Sequence, residues 1–140
     1  MSHAHRMTGN AIDEGAGRRA STLLLILVAT FITLVPGGPV ETRDFSHLGG
    51  AVFWGFNVFL IALGLAAIAA GIALRRGSRL AARIAIAVSW GYIFVVLLDL
   101  GHVFPVSSDP IPLLLGLIEI LDAILAGYVM VLAHRALGDI

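Results

Sequence analysis

The chain has 140 residues, 59% of them hydrophobic and only 13% charged, and its nine basic and nine acidic side chains cancel to a net charge of zero. Soluble domains average about 45–50% apolar and about 25% charged, so an ordinary soluble core is excluded, and nothing in the charge balance or motifs calls for a nucleic acid. Cysteine is absent, which removes disulfides, thiol catalysis and thiolate metal ligands.

Residues 1–19 are polar and mixed and read as a disordered cytoplasmic tail. His3 and His5 within it are two histidines on a tail rather than a ligand set. The first apolar run covers 20–35 and is stopped by Pro36-Gly37-Gly38-Pro39. A helix of that length rises about 24 Å, short of a hydrocarbon core of about 30 Å. Arg18 and Arg19 ahead of a leucine-rich stretch also suit an uncleaved signal anchor. The run ends without a small-x-small cleavage site, so a retained span is expected, its arginines snorkelling to the surface.

The second run, 48–74, carries no charge and is rich in glycine and alanine, including Gly55, Gly64 and Gly71. Such residues weaken a soluble helix but let helices in lipid approach closely. Gly77-Ser78 breaks the chain. The third run, 80–104, closes at Pro105. The fourth, 110–134, has Ser107, Ser108 and Asp109 as capping oxygens and Pro110 at a first helical position. Residues 136–140 form a short C-terminal end. Trp54 and Trp90 fall inside their runs and read as packing residues. No solvated face can be drawn on the second or third run. Short connections make neighbours antiparallel. The expected fold is all-α, an integral membrane four-helix antiparallel bundle.

Orientation follows from arginine. Arg6, Arg18, Arg19, Arg75, Arg76, Arg79, Arg83 and Arg135 share one side after four crossings, and only Arg43 lies on the other. Short positive loops stay cytoplasmic, so both termini are expected inside, in what reads as a bacterial cytoplasmic (inner) membrane.

Three acids interrupt the apolar runs: Asp99 in the third, Glu119 and Asp122 in the fourth. An aspartate at a helix centre costs about 2.5–3.5 kcal/mol on insertion scales, so such groups face the bundle interior, find partners or stay protonated. At 1.5 Å per residue, Asp99 and Glu119 fall about 10 Å below the outer surface, with Asp122 one turn deeper and Asn57 at a similar level. Asp99 and His102 are three apart and so are Glu119 and Asp122, which places each pair on one helical face. The candidate ion or proton site is therefore Asp99, His102, Glu119, Asp122 and Asn57, with His47, Arg43 and Asp44 at its outer mouth. The segment Glu41-Thr42-Arg43-Asp44 reads as a solvated turn with a local ion pair, or as a lid over that mouth.

Three functions suit these residues. Carboxylates with histidine suit proton relay, or a divalent cation on His102, Asp99 and Glu119. His47 and His102, on adjacent antiparallel helices, could instead ligate one haem, or Asp99, His102 and Trp54 could line a quinone pocket. Alternatively the polar residues only set helix register in an accessory or scaffold subunit, a homo-oligomer or part of a larger membrane complex. An enzyme is the weaker reading: Ser46-His47 is no triad, and no Gly-x-Ser-x-Gly is present.

Overall fold

A computed structural model describes residues 12–35, 39–105 and 107–139. Among them are four helices and no strand: α1 (Glu14–Ile32), α2 (Gly50–Arg75), α3 (Arg79–Leu100) and α4 (Leu113–Leu137). All four are long and apolar enough to cross a membrane. They form a four-helix bundle in which each helix packs on its neighbours in the chain. Contact between α1 and α4 closes the ring, and α1 only grazes α3 across the centre. The all-helical bundle expected from the hydropathy runs is the observed one.

The ends of the helices differ from the apolar runs, because capping and tertiary contacts, not hydropathy, decide them. α1 starts at Glu14, not at residue 20. Asp13 caps it by accepting from the Ala16 N–H at 3.2 Å, and the Asp13 N–H donates to the Ala136 carbonyl at 2.9 Å. The tail expected over 1–19 is thus corrected for residues 14–19, while 1–11 lie outside the described residues. α4 starts at Leu113, with Pro112 at its cap and no side-chain cap bond. The capping role given to Asp109 is wrong, since its carboxylate is engaged by the backbone of Asp44. α4 also runs through 136 and 137, until Gly138 at φ +82° turns the chain by the left-handed conformation open to glycine.

The end of the bundle that carries both termini packs through small side chains. Ala20, Ala67, Ala82, Ala85, Ala126 and Ala133 are buried there. α1 and α2 come so close that a Cβ added to Gly71 would lie 3.0 Å from Leu25 Cδ2, and Ser21 Oγ donates to the Gly71 carbonyl at 2.7 Å. Toward the other end larger groups fill the centre, with Phe31 edge-on to Tyr92 at 4.7 Å between ring centroids. Between the arginine-bearing ends, the exposed side chains of the helices are predominantly apolar, as lipid contact requires. Trp54 and Trp90 belong to that surface, 67% and 61% exposed, so the reading of both as packing residues is corrected.

Candidate functional site

The site exists because α3 stops early. The third apolar run continues to Phe104, yet the helix ends at Leu100 with Gly101 as its cap, and His102 takes a left-handed φ of +56°. Asp99 is therefore in the last turn of α3, whereas Glu119 stands six residues into α4, about 9 Å along its axis. A recess opens beside the end of α3, and residues 41–45 of the α1–α2 connection, which have no regular secondary structure, place Glu41 and Arg43 against it.

Arg43 is the centre of what fills this recess. It is only 8% exposed despite lying in a loop. Its Nη2 donates to Glu41 Oε2 at 2.6 Å and to both Asp99 oxygens at 2.9 Å, and its Nε donates to Glu41 Oε1 at 2.9 Å. The Arg43 backbone N–H adds a bond to Glu41 Oε1 at 3.1 Å, and the guanidinium carbon lies 5.2 Å from the centre of the Phe45 ring. The hydrogen bond to Glu41, opposed by burial and reinforced by Asp99, holds the guanidinium above its already high ordinary value. A cation at the C-terminal end of α3 is favoured by the helix dipole as well.

Glu119 comes from α4 to lie beside Asp99. It is 5% exposed, and its Oε2 has no hydrogen-bond partner among the described residues. Glu41, Arg43, Asp99 and Glu119 together line a cavity with about 20 Å³ of room, closed on its apolar sides by Phe31, Phe56, Leu60 and Pro105. That volume accepts about one water-sized group. One turn further along α4, Asp122 is fully buried and accepts from the Thr30 hydroxyl of α1, leaving its Oδ2 without a partner. Glu41 and Asp99 thus contact the guanidinium directly, Glu119 shares the cavity with them, and Asp122 lies one turn away on its own bond to Thr30. Two neighbouring carboxyl groups away from water are costly when both are charged and nothing lies between them.

The two connections at this end are tied together above the cavity. The Asp44 N–H donates to Asp109 Oδ2 at 2.8 Å, and Ser107 Oγ donates to the Asp44 carbonyl at 2.7 Å. The Asp44 carboxylate accepts from the Ser46 N–H at 2.8 Å, and this bond holds its carboxyl below the ordinary value.

Of the residues singled out in the sequence, Asp99, Glu119 and Asp122 are brought into the bundle interior, and Arg43 joins them. The segment around Arg43 is a buried ion pair and not a solvated turn. Asp44 and His47 are exposed at this end. His102 is also exposed: the three-residue spacing from Asp99 implies a shared face only if the helix continues, and it does not. His47 precedes α2 and His102 follows α3, so both lie in the connections at this end of the bundle and not within the helices. Asn57 is half-buried and donates to the Phe53 carbonyl of its own helix at 3.0 Å, away from the acids. No group of three or more His, Asp or Glu among the described residues is arranged to hold a metal, which removes the set His102, Asp99 and Glu119. Thr30 is the residue that sequence reasoning missed, and Thr30 and Thr33 three apart in a leucine-rich run were the available signal; Glu41 was named only within a solvated turn with a local ion pair, and the pair is present but buried.

The family match covers this whole architecture. The chain belongs to the family described as domain of unknown function (DUF8051), which matches over residues 16–139. Comparison with curated proteins and with solved structures returns no match. The match extends from the first turn of α1 to just past the end of α4, so Arg43, Asp99, Glu119 and Asp122 all lie within the family's unit.

Proposed function

We propose that this small membrane protein takes up a proton or a small cation at the Asp99–Glu119 pair, from a cavity that opens to the outer side of a bacterial cytoplasmic membrane. The observation that carries this is Glu119 Oε2, a buried carboxyl oxygen without a partner, aimed into a water-sized cavity beside a second carboxylate. An acid kept only to fix helix register would have both oxygens bonded, because an unsatisfied buried polar atom costs about 1–3 kcal/mol. Arg43 and Glu41 close the mouth and balance part of the charge. A monovalent species fits the reading better than a divalent metal, given the missing histidine. Orientation rests on arginine. With Arg43 buried in an ion pair, this end presents no exposed arginine among the described residues, while Arg18, Arg19, Arg75, Arg76, Arg83 and Arg135 are exposed at the other.

Infrared difference spectroscopy across a pH titration of the detergent-purified protein tests this. A buried carboxyl band is expected to titrate in the wild type, to vanish in Glu119→Gln and to persist in Asp122→Asn. Replacing the sodium of the buffer by potassium or lithium should shift the midpoint if a cation competes for the same oxygens. If no buried carboxyl titrates and Glu119→Gln only lowers stability, the residue is a packing element and the chain is an accessory or scaffold subunit.

A further inference from the structure

The polar cavity shares a wall with a second one. Between α1 and α2 an apolar groove of about 260 Å³ opens on the lipid-facing surface, and Phe31 and Leu60 line both spaces. Gly64 lies on the α2 wall of this groove, where a Cβ would meet nothing within 4 Å. Its remaining lining is Val28, Ile61, Leu65 and their neighbours, with no charged side chain.

We infer that groove and cavity form one site for an amphiphilic primary ammonium, its tail in the α1–α2 groove and its head beside Glu119, entering sideways from the membrane past Phe31 and Leu60. This deepens the proposal that the Asp99–Glu119 pair takes up a proton or cation, and rests on it. Charge selects a cation: the cavity is lined by Glu41, Asp99 and Glu119 against the single positive charge of Arg43. Size selects a primary ammonium, because about 20 Å³ admits a group no larger than one water, which a trimethylated head exceeds. Hydrogen bonding agrees, since Glu119 Oε2 is an open acceptor and a primary ammonium brings three donors. The position of the groove selects the tail, since it faces lipid and is apolar along its length. An incoming head pairs with Glu119 Oε2, and a proton carried by that carboxyl is displaced to the outer water, one for each head bound.

The test is titration of octylammonium into the protein in lipid nanodiscs, read by calorimetry against empty nanodiscs, with the infrared carboxyl titration run on the same samples. Octylammonium should bind the wild type more than about tenfold tighter than octyltrimethylammonium or plain ammonium, and should release a proton. Gly64→Leu, which fills the groove from an open position, should weaken octylammonium more than about tenfold yet leave the carboxyl titration unchanged. Glu119→Gln should abolish both. If octylammonium does no more than partition into lipid, or if Gly64→Leu binds it as well as the wild type, the amphiphile site is wrong. Should the carboxyl titration persist in that case, the proton or cation reading stands without it; should that titration be absent too, both fall.

Discussion

At the scale of single residues, the end of the bundle that carries the α1–α2 connection depends on one arginine. Among the described residues, Arg43 supplies the only positive charge in contact with Glu41 and Asp99, and its own side chain is 3% exposed. Removing it strands two buried carboxylates, and breaking a buried pair from one side typically costs about 3–5 kcal/mol. Arg43→Ala should therefore lower the unfolding midpoint in detergent sharply. The double variant Arg43→Ala with Asp99→Asn should recover part of the loss, because it removes a stranded charge; a double variant no more stable than the single would show that the ion pair is not what holds the segment. Titration from the arginine side is not expected, since its raised value keeps the contribution intact at every pH below the ordinary arginine range. Asp44 behaves differently. Its carboxyl is held low by the Ser46 N–H, so the bond is present above the ordinary aspartate value and is lost only as pH falls through the lowered one. The Ser46 amide shift in nuclear magnetic resonance should accordingly move with a midpoint below 3.8, and should not move at all in Asp44→Asn. These residues also show where sequence reasoning ends. The buried acids were visible because each interrupts an apolar run. Arg43 was visible only as an exception to the arginine pattern, since a loop residue carries no periodicity from which burial could be read.

At the scale of elements, helix ends and close approaches decide what the hydropathy runs could not. The third run is apolar through Phe104, but α3 stops at Leu100, where Gly101 caps it and His102 takes a left-handed φ. The recess beside that end is a tertiary feature and leaves no mark on composition. The loops above it are joined through Asp109, whose carboxylate serves the Asp44 N–H. Asp109→Ala should cost about 0.5–1.5 kcal/mol, as for one net hydrogen bond, and Asp109→Asn clearly less, since the amide oxygen still accepts. Glycines in α2 offer a matched comparison. Gly55 has nothing within 4 Å of an added Cβ, whereas at Gly71 the same atom would press on Leu25. Gly55→Ala should stabilise by about 0.5–1 kcal/mol through backbone entropy alone. Gly71→Val should destabilise by about 1–3 kcal/mol, because it wedges apart α1 and α2 where Ser21 bonds across. Equal effects at both positions, measured by thermal unfolding in one detergent, would mean that the α1–α2 contact is not close-packed.

At the scale of the whole molecule, the number and kind of helices were legible because lipid demands one property of every residue in a span, and the sequence displays it in four blocks. The meeting of a loop with two helix ends was not legible, because Glu41, Asp99 and Glu119 are far apart in the chain and only the closed ring of helices brings them together. The same ring fixes topology once one end is assigned. Arginines are exposed at the end that carries α1's start and α4's finish, and the opposite end keeps its only arginine inside an ion pair, so the positive-inside rule predicts the first end to be cytoplasmic. The chain has no cysteine, so single cysteines report position without background. Ser46→Cys and Ser108→Cys, both exposed, should react with a membrane-impermeant maleimide on intact cells, and Arg76→Cys and Gly138→Cys only after permeabilisation. The reverse pattern would turn the acid cavity toward the cytoplasm, where Arg43 would guard an inner mouth and the direction of proton exchange argued above would be inverted. A mixed pattern, with both members of each pair reactive on intact cells, would mean that the chain inserts in two orientations and that arginine asymmetry does not decide its topology.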